Sequence, residues 1–260
     1  MMITIISRNF APVDDAKKDI IDFIQVLAKN IPIGYIKGHK SFFEVYTDRV
    51  FLFLYIPGTR RADEGKRPAV IHIDYDQIRS VPQKIINRLK GQHGGGRRIY
   101  ARTTVVARVD KRVSMEFQEE HHLQVALPGK YRYGLFYQGE LVSIAIFSGG
   151  RIMRQLASDY RSFELIRFCH KSDTLIIGGI SKLLKAFIKE FSPQDIMTYA
   201  DRDWVHGDSS LETIGFNTVE ILAPQRFAIV AGQRLTDIAD EQKVDYYVEN
   251  KGSLKLKLIL

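Results

Sequence analysis

The residues best suited to nucleophilic chemistry stand side by side at Cys169, the single cysteine of the chain, and His170, which could act as its base. They fall at the end of a predicted strand over residues 163–169, and neighbouring residues on a strand point to opposite faces. A nucleophilic pair of these two residues is therefore disfavoured, and we interpret Cys169 as a thiol of the core. Because one cysteine cannot form an internal disulfide, nothing indicates an oxidising compartment.

Two adjacent histidines, His121 and His122, could serve as a base or as metal ligands. They lie at the end of a predicted helix over residues 114–121, where successive side chains diverge by about 100° around the axis. Side chains that point apart rarely share a metal ion. We therefore predict that both are capping or packing residues and that the chain holds no metal.

Basic residues concentrate in one segment. Residues 60–112 contain fourteen lysines and arginines against five acidic residues, an excess of nine positive charges in a chain whose net charge is +8. Such a field attracts polyanions, and since no base-reading motif accompanies it, a nucleic acid would be held through its phosphates. The residues expected at that surface are Arg88, Lys90, Arg97, Arg98 and Arg102. The alternative is that these side chains only solvate a helix and a few strands.

The elements that must position these residues are helices and strands in alternation. Apolar residues at helical spacing predict helices over residues 14–30, 80–91, 114–121 and 180–191. β-branched and aromatic runs predict strands over residues 42–56 (a hairpin), 69–75, 99–109, 133–137, 141–147, 163–169, 196–200, 226–230 and 254–260. Three glycines at 94–96 supply a flexible connection. The sequence thus predicts a mixed α/β chain, with a small α+β domain over residues 1–96 and a second domain over residues 97–260.

The second half resembles the GCN5-related N-acetyltransferase (GNAT) fold. From Tyr133 onward the expected order is hairpin, strand, glycine-containing loop, helix, strand, short helix and strand. Three segments carry the resemblance: a central hairpin at residues 135–142, a pyrophosphate loop and helix at residues 177–184, and Thr213-Ile214-Gly215-Phe216. The resemblance implies an acyltransferase fold for the second domain.

A closer resemblance extends over more of the chain. His121-His122-Leu123-Gln124, residues 164–169 and Tyr199-Ala200-Asp201-Arg202 resemble a GNAT-like domain of phage and mobile-element proteins, often found beside a nuclease-like domain. Residues 71–78 resemble the tail of the Vsr-like or homing-endonuclease-like module that can precede it. A metal-dependent nuclease of that type needs a second carboxylate on the strand after its first. The strand after Asp48 has none, so we expect a degenerate or repurposed module.

The GNAT resemblance also implies a cofactor site for acetyl-CoA or another acyl-CoA. The residues that match the family's loop are Ile177, Gly178, Gly179, Ile180, Ser181 and Lys182. Amides at the start of the helix would bind the diphosphate, with Lys182 assisting from the rim. Alternatively, the two glycines only allow a tight strand-to-helix turn. The loop departs from the family pattern, because residues 175–177 are Leu, Ile and Ile where a polar residue is usual.

Acyl transfer further requires a base for the amine and an acid for the departing thiolate. On the resemblance, Glu164 is the candidate base, although it could equally be a surface carboxylate paired with a neighbouring arginine. The family often takes its acid from a tyrosine at the position of Leu211, which cannot donate a proton. Tyr199, Asp201 or a water are the substitutes, and the sequence does not choose among them.

Two functions follow, each with its own partner. As an enzyme the chain would be a GNAT-type N-acyltransferase that moves an acyl group from acyl-CoA to an amine. As a binding protein it would be a non-catalytic GNAT-like module of phage or mobile-element origin that holds nucleic acid through residues 60–112. Because the apolar runs fall far below the roughly 18 residues of a membrane span and no secretory signal pattern is present, we expect a cytoplasmic protein without membrane contact.

Overall fold

The structure of the chain is a computed structural model that describes residues 13–204, 211–236 and 244–260. Contacts divide the chain into two units. The first comprises Met1–Pro82, Asp201–Asp208 and Leu222–Ser253, and the second comprises Gln83–Ala200, Ser209–Ile221 and Leu254–Leu260. The sequence-based domain division at residue 96 stays a prediction. It differs from these units because residues 83–96 belong with the second unit and a late segment returns to the first.

The first unit is built on a four-stranded sheet. Its elements are helix α1 (Val13–Ala28), strands β1 (Ile33–Gly38), β2 (Phe42–Thr47), β3 (Phe51–Tyr55) and β4 (Val70–Ile73), and helix α2 (Tyr75–Ser80). The strands follow the order β1-β2-β3-β4, with β3 and β4 parallel and the other pairs antiparallel. A three-stranded sheet from later in the chain completes the unit, in the order β15 (Gln233–Leu235), β14 (Arg226–Val230) and β16 (Tyr246–Glu249).

The second unit is built on an eight-stranded sheet. Its strands are β6 (Val105–Arg108), β7 (Tyr131–Tyr137), β8 (Glu140–Phe147), β9 (Arg151–Ile152), β10 (Arg161–His170), β12 (Asp195–Asp201), β13 (Asn217–Ile221) and β17 (Ser253–Ile259). They follow the order β13-β17-β12-β10-β8-β7-β6, with β9 paired to β10 alone. β10 is the strand at which antiparallel pairing with β8 changes to parallel pairing with β12.

Helices and a second small sheet surround it. The helices are α3 (Pro82–Gln92), α4 (Lys111–His121), α5 (Gly179–Phe191) and the 3₁₀ turns η1 (Ala101–Thr103) and η2 (Glu212–Ile214). Strand β11 (Thr174–Ile177) leads into α5 and pairs in parallel with β5 (Arg97–Tyr100). None of the helices in the described ranges is long and apolar enough to cross a membrane.

Apolar residues three and four apart bury one face of α5 on the sheet, which fixes where the helix begins. Phe187 lies at the centre of this contact and is fully buried. Its ring stacks on that of Phe147 of β8 with centroids 3.9 Å apart, and its edge meets Phe163 of β10 at 5.1 Å. The rings therefore anchor α5 to the two central strands.

The mixed α/β class predicted from the sequence is confirmed, as are the hairpins β2–β3 and β7–β8 and the helix α5. The predicted order of elements after Tyr133 is also found, with two additions, the short strand β9 and strand β11. The sequence predicts a loop over residues 170–175, whereas in the structure strand β11 begins within it and extends over Thr174–Ile177. Periodicity does not reveal this strand, because its four residues pair with a partner far away in the chain.

We expect Phe187→Ala to lower the free energy of unfolding by about 3–5 kcal/mol, since it removes a ring that the surrounding aromatic residues cannot replace. Urea unfolding followed by circular dichroism measures this change. Val105→Ala, at a side chain that is 68% exposed, is the control and should stay within about 0.5 kcal/mol of the parent. Equal effects of the two substitutions would contradict the packing described for α5.

Candidate functional site at the start of α5

The turn between β11 and α5 needs glycine at both of its positions. Gly178 is exposed and has a φ of 77°, a left-handed conformation that side chains rarely adopt. Gly179, the first residue of α5, is buried, and a Cβ there would lie 3.1 Å from Cε1 of His170 and 3.1 Å from Ile176. The chain therefore brings the first turn of the helix against the end of β10 with no side chain between them.

This turn presents backbone donors. The amide of Lys182 donates to the carbonyl of Gly178, so the helical hydrogen-bond ladder begins with that amide. The amides of Gly179, Ile180 and Ser181 precede it and have no partner within the helix. Together with the dipole of a helix of 13 residues, these donors favour an anion such as a phosphate.

Strands β10 and β12 separate after Glu164 and Met197. β10 and β12 form three parallel pairs, from Ser162 with Asp195 to Glu164 with Met197. At the next position the ladder is replaced by a side chain, because the Thr198 hydroxyl donates to the carbonyl of Leu165 at 2.8 Å. The pairing of β10 with β8 then shifts register between Leu165 and Arg167. A bulge of this kind leaves backbone groups outside the ladder and is common beside active sites.

Two of the predicted catalytic residues share one face of the sheet. Phe163 and Leu165 face α5, so Glu164 between them lies on the opposite face, where it is half-buried. Its parallel partner is Met197, and Tyr199 follows two residues later with 44% of its surface exposed. Glu164 and Tyr199 therefore project from neighbouring strands toward the same side.

The other two positions considered from the sequence are Asp201 and Leu211. Asp201 is the last residue of β12, two residues after Tyr199, and its carboxylate accepts the backbone N–H of Asp203 at 2.9 Å. Leu211 directly precedes η2 and packs against the hydrophobic core of the second unit. Tyr199 and Asp201 therefore both lie on the strand next to the one that carries Glu164.

The side chain of Lys182, which was predicted to assist a diphosphate at the rim of the turn, is hydrogen-bonded to backbone carbonyls. Its ammonium donates to the carbonyl of Ala101 at 2.8 Å and also to the carbonyl of Thr104. It therefore ties η1 to the first turn of α5. The predicted role of Lys182 at a bound diphosphate competes with these two hydrogen bonds.

Sequence reasoning missed a polar pair next to Gly179. Ser143 of β8 and His170 of β10 are direct cross-strand neighbours, and Nδ1 of His170 lies 2.9 Å from the Ser143 hydroxyl oxygen. Cys169, by contrast, packs with apolar side chains on the other face, and burial raises the pKa of its thiol to about 12. The separation of Cys169 from His170 is as predicted, but the register that joins His170 to Ser143 is not readable from the sequence.

The five basic residues predicted to contact phosphates lie on α3, β5 and η1 of the second unit. Arg88, Arg98 and Arg102 are exposed. Lys90 is paired with Asp173 at 2.7 Å. The guanidinium of Arg102 lies 4.9 Å from the centre of the exposed Tyr100 ring.

Arg97 is also exposed and stacks at 4.9 Å over the ring of Tyr137. Its guanidinium approaches the Glu140 carboxylate at 4.0 Å.

The earlier part of the basic segment lies in the first unit, where Arg60, Lys66 and Arg79 are exposed. Arg61 is paired with both Asp74 and Asp203, and Arg67 with the buried Glu44. The fourteen basic residues therefore do not act as one field, because some neutralise acids inside the first unit. In the second unit the exposed basic residues of the segment are Arg88, Arg97, Arg98, Arg102, Arg108, Lys111 and Arg112.

An acyl-CoA requires groups at the start of α5 that can hold its diphosphate. The backbone meets this requirement, because Gly178 is exposed and Gly179 has no Cβ that could cover the amides that follow it. The side chains of residues 175–177 offer no polar group. His170 is the polar side chain that lies against Gly179.

No protein-family model and no curated protein matches the chain. Among solved structures it is similar to a GNAT family acetyltransferase from Elizabethkingia anophelis with acetyl-CoA bound, at 10% identity and a TM-score of 0.34, covering 61% of this chain and 99% of that one. It is similar to the ribosomal-protein-S18-alanine N-acetyltransferase from Escherichia coli, at 11% identity and a TM-score of 0.39, covering 60% and 93%. A Bacillus subtilis acetyltransferase in complex with CoA is similar at 14% identity and a TM-score of 0.33, covering 60% and 99%.

We expect Lys182→Met to lower the free energy of unfolding by about 1–3 kcal/mol, because two carbonyls would lose their shared donor. The measurement is urea unfolding at neutral pH. Lys185→Met, an exposed lysine on the same helix, is the matched control and should change stability little. If both variants matched the parent, the ammonium of Lys182 would not hold η1 in solution.

Proposed function

We propose that this protein is an acyl-CoA-dependent N-acyltransferase with its cofactor bound at the start of α5. The observation that carries the proposal is the glycine-capped first turn of α5, which lies against the end of β10, the strand that separates from β12 after Glu164. That arrangement offers unpaired amides to a diphosphate and, along the separating strands, room for an extended chain. The order of elements in the second unit and the sequence resemblance support the same assignment.

In this proposal separate groups of the chain bind the diphosphate and orient the reacting end of the cofactor. When bound, the cofactor supplies an activated thioester. The amides of Gly179, Ile180 and Ser181 hold the diphosphate, and the bulge between Leu165 and Arg167 orients the reacting end with backbone groups outside the ladder.

Proton transfer falls to the face that Glu164 and Tyr199 share. The carboxylate of Glu164 accepts the proton that the amine loses, and the hydroxyl of Tyr199 gives a proton to the departing sulfur. Asp201, two residues after Tyr199 on β12, is the alternative proton donor. The acceptor in this proposal is an amine.

Isothermal titration calorimetry with acetyl-CoA tests the site. We expect the parent to bind and Gly178→Asp to lose at least tenfold in affinity, because a carboxylate beside the helix amides repels the diphosphate and strains the left-handed backbone. Gly139→Asp is the matched control, since Gly139 has a similar φ of 82° in a hairpin turn with open space around it. Absence of binding by the parent at millimolar acetyl-CoA would end the proposal.

A second candidate function, phosphate-mediated binding of nucleic acid, is favoured by one observation. Arg102 stacks on the exposed ring of Tyr100, and Arg98 is exposed on the same strand as Tyr100. Guanidinium groups beside an exposed aromatic ring suit the phosphates and bases of a single strand. This function would not require the turn at Gly178.

The second candidate predicts a steep salt dependence. We expect the double variant Arg98→Glu with Arg102→Glu to weaken binding of a labelled single-stranded oligonucleotide and to reduce the slope of log affinity against log salt by roughly 1–2. Fluorescence anisotropy measures both quantities. The double variant Arg151→Glu with Arg154→Glu makes the same charge change at other exposed positions. An equal loss from this control would show that net charge alone drives the binding.

A further inference from the structure

Ser143 is buried and His170 is half-buried beneath the first turn of α5. Both residues project to the face of the sheet that α5 covers, and the ring of His170 also meets the edge of Phe168, with centroids 4.9 Å apart. Cε1 of the imidazole lies 3.1 Å from the position that a Cβ on Gly179 would take. The imidazole edge that includes Cε1 therefore faces the residue that opens the helix.

The hydrogen bonds of this pair define which nitrogen carries the proton. The Ser143 hydroxyl donates to the carbonyl of Cys169 at 3.1 Å. With the single hydroxyl proton directed to that carbonyl, the Ser143 oxygen can accept a hydrogen from Nδ1 of His170, 2.9 Å away, and we infer this tautomer. Nε2 is then the unprotonated nitrogen, with a lone pair available to accept a proton.

His170 is neutral in the folded chain. Burial lowers its pKa to about 4, and burial is the cause of the shift. The neighbours of the ring are uncharged: the Ser143 hydroxyl on β8, the Phe168 ring on β10 and Gly179 on α5. The charged residue that follows in sequence, Lys171, is paired with Glu140.

We propose that His170 is the side-chain partner of the diphosphate bound at the start of α5, and that Nε2 takes a proton from solvent as the anion binds. Nδ1–H stays on Ser143, which acts as a positioning residue. The bound imidazolium then donates Nε2–H to a phosphate oxygen. This inference rests on the proposed function, which supplies the anion.

Two features of the chain favour this role. The loop before Gly178 lacks the polar residue that an anion site would normally place there, since residues 175–177 are apolar. His170 reaches the same point from the preceding strand because Gly179 has no Cβ to block it. A negative ligand within about 4–6 Å raises the pKa of an imidazole by 1–3 units, which is enough to protonate His170 near pH 6.

The test is calorimetric titration with dephospho-CoA, whose diphosphate is fully ionised between pH 5 and pH 7. Lacking the phosphate monoester of CoA, this probe contributes no proton of its own at those pH values. Runs in two buffers with different ionisation enthalpies give the number of protons taken up. We expect uptake of about half a proton or more at pH 5.5, and an affinity roughly tenfold higher at pH 5 than at pH 7.

The variant His170→Gln should bind with no linked proton and with little pH dependence. His122→Gln is the matched control, because burial also lowers the pKa of His122 to about 4, at the end of α4. It should keep the proton uptake of the parent. Binding by the parent without proton uptake, or equal losses from both variants, would overturn the role of His170 while leaving the cofactor site intact. Absence of binding at any pH would overturn both.

The proton position can be measured without any substitution. Nitrogen-15 NMR of histidine-labelled protein should show His170 with its hydrogen on Nδ1 in the free chain and doubly protonated with dephospho-CoA at pH 5.5. In Ser143→Ala the free imidazole should lose its preference for the Nδ1–H form, since the acceptor oxygen is gone. An Nε2–H tautomer in the free parent would contradict the proposal, even if His170→Gln did not fold.

Discussion

The second unit depends on one close approach, that of the first turn of α5 to the end of β10. Phe187 anchors the far part of the helix on the central strands, so the position of the first turn is set by packing. A Cβ at Gly179 would lie only 3.1 Å from His170 and from Ile176, and only glycine readily adopts the backbone of Gly178. The absence of side chains at Gly178 and Gly179 permits this packing and also leaves the amides of the first turn uncovered. Packing of the helix and binding of an anion therefore both favour glycine at these two positions.

The strand inserted between β10 and α5 changes how this turn is supported. β11 pairs with β5, and η1 directly after β5 receives the ammonium of Lys182. The ammonium of Lys182 thereby joins η1 to the first turn of α5 and does not point to an anion at that turn. The positive charge missing from the turn can be supplied by a group that is neutral until the anion arrives. A buried imidazole meets that condition, whereas a permanently charged side chain would have to be desolvated in the free protein.

Local patterns in the sequence were sufficient for much of the fold. The apolar stripe of α5 and the turn at Gly139 each specify their element within a few residues, which is why helix and hairpin are found where expected. The strand β11 depends on pairing with β5, about 75 residues away in the chain. The contact of Ser143 with His170 depends on the register of two strands, and a bulge changes which residues face α5. Counting charges along the chain did not reveal the pairing of Arg61, because one of its two acids, Asp203, comes from a distant segment.

Keeping His170 neutral has a consequence for stability. Its pKa in the folded chain, about 4, lies below the ordinary value of 6.5 that the unfolded chain retains. As the pH falls from 6.5 toward 4, the unfolded state binds the proton and the folded state does not, so stability declines over that window. His72 and His122 are buried with similarly lowered pKa values and act in the same direction. An anion that lets His170 accept its proton removes one of these penalties, which couples ligand binding to acid stability through the residue beneath Gly179.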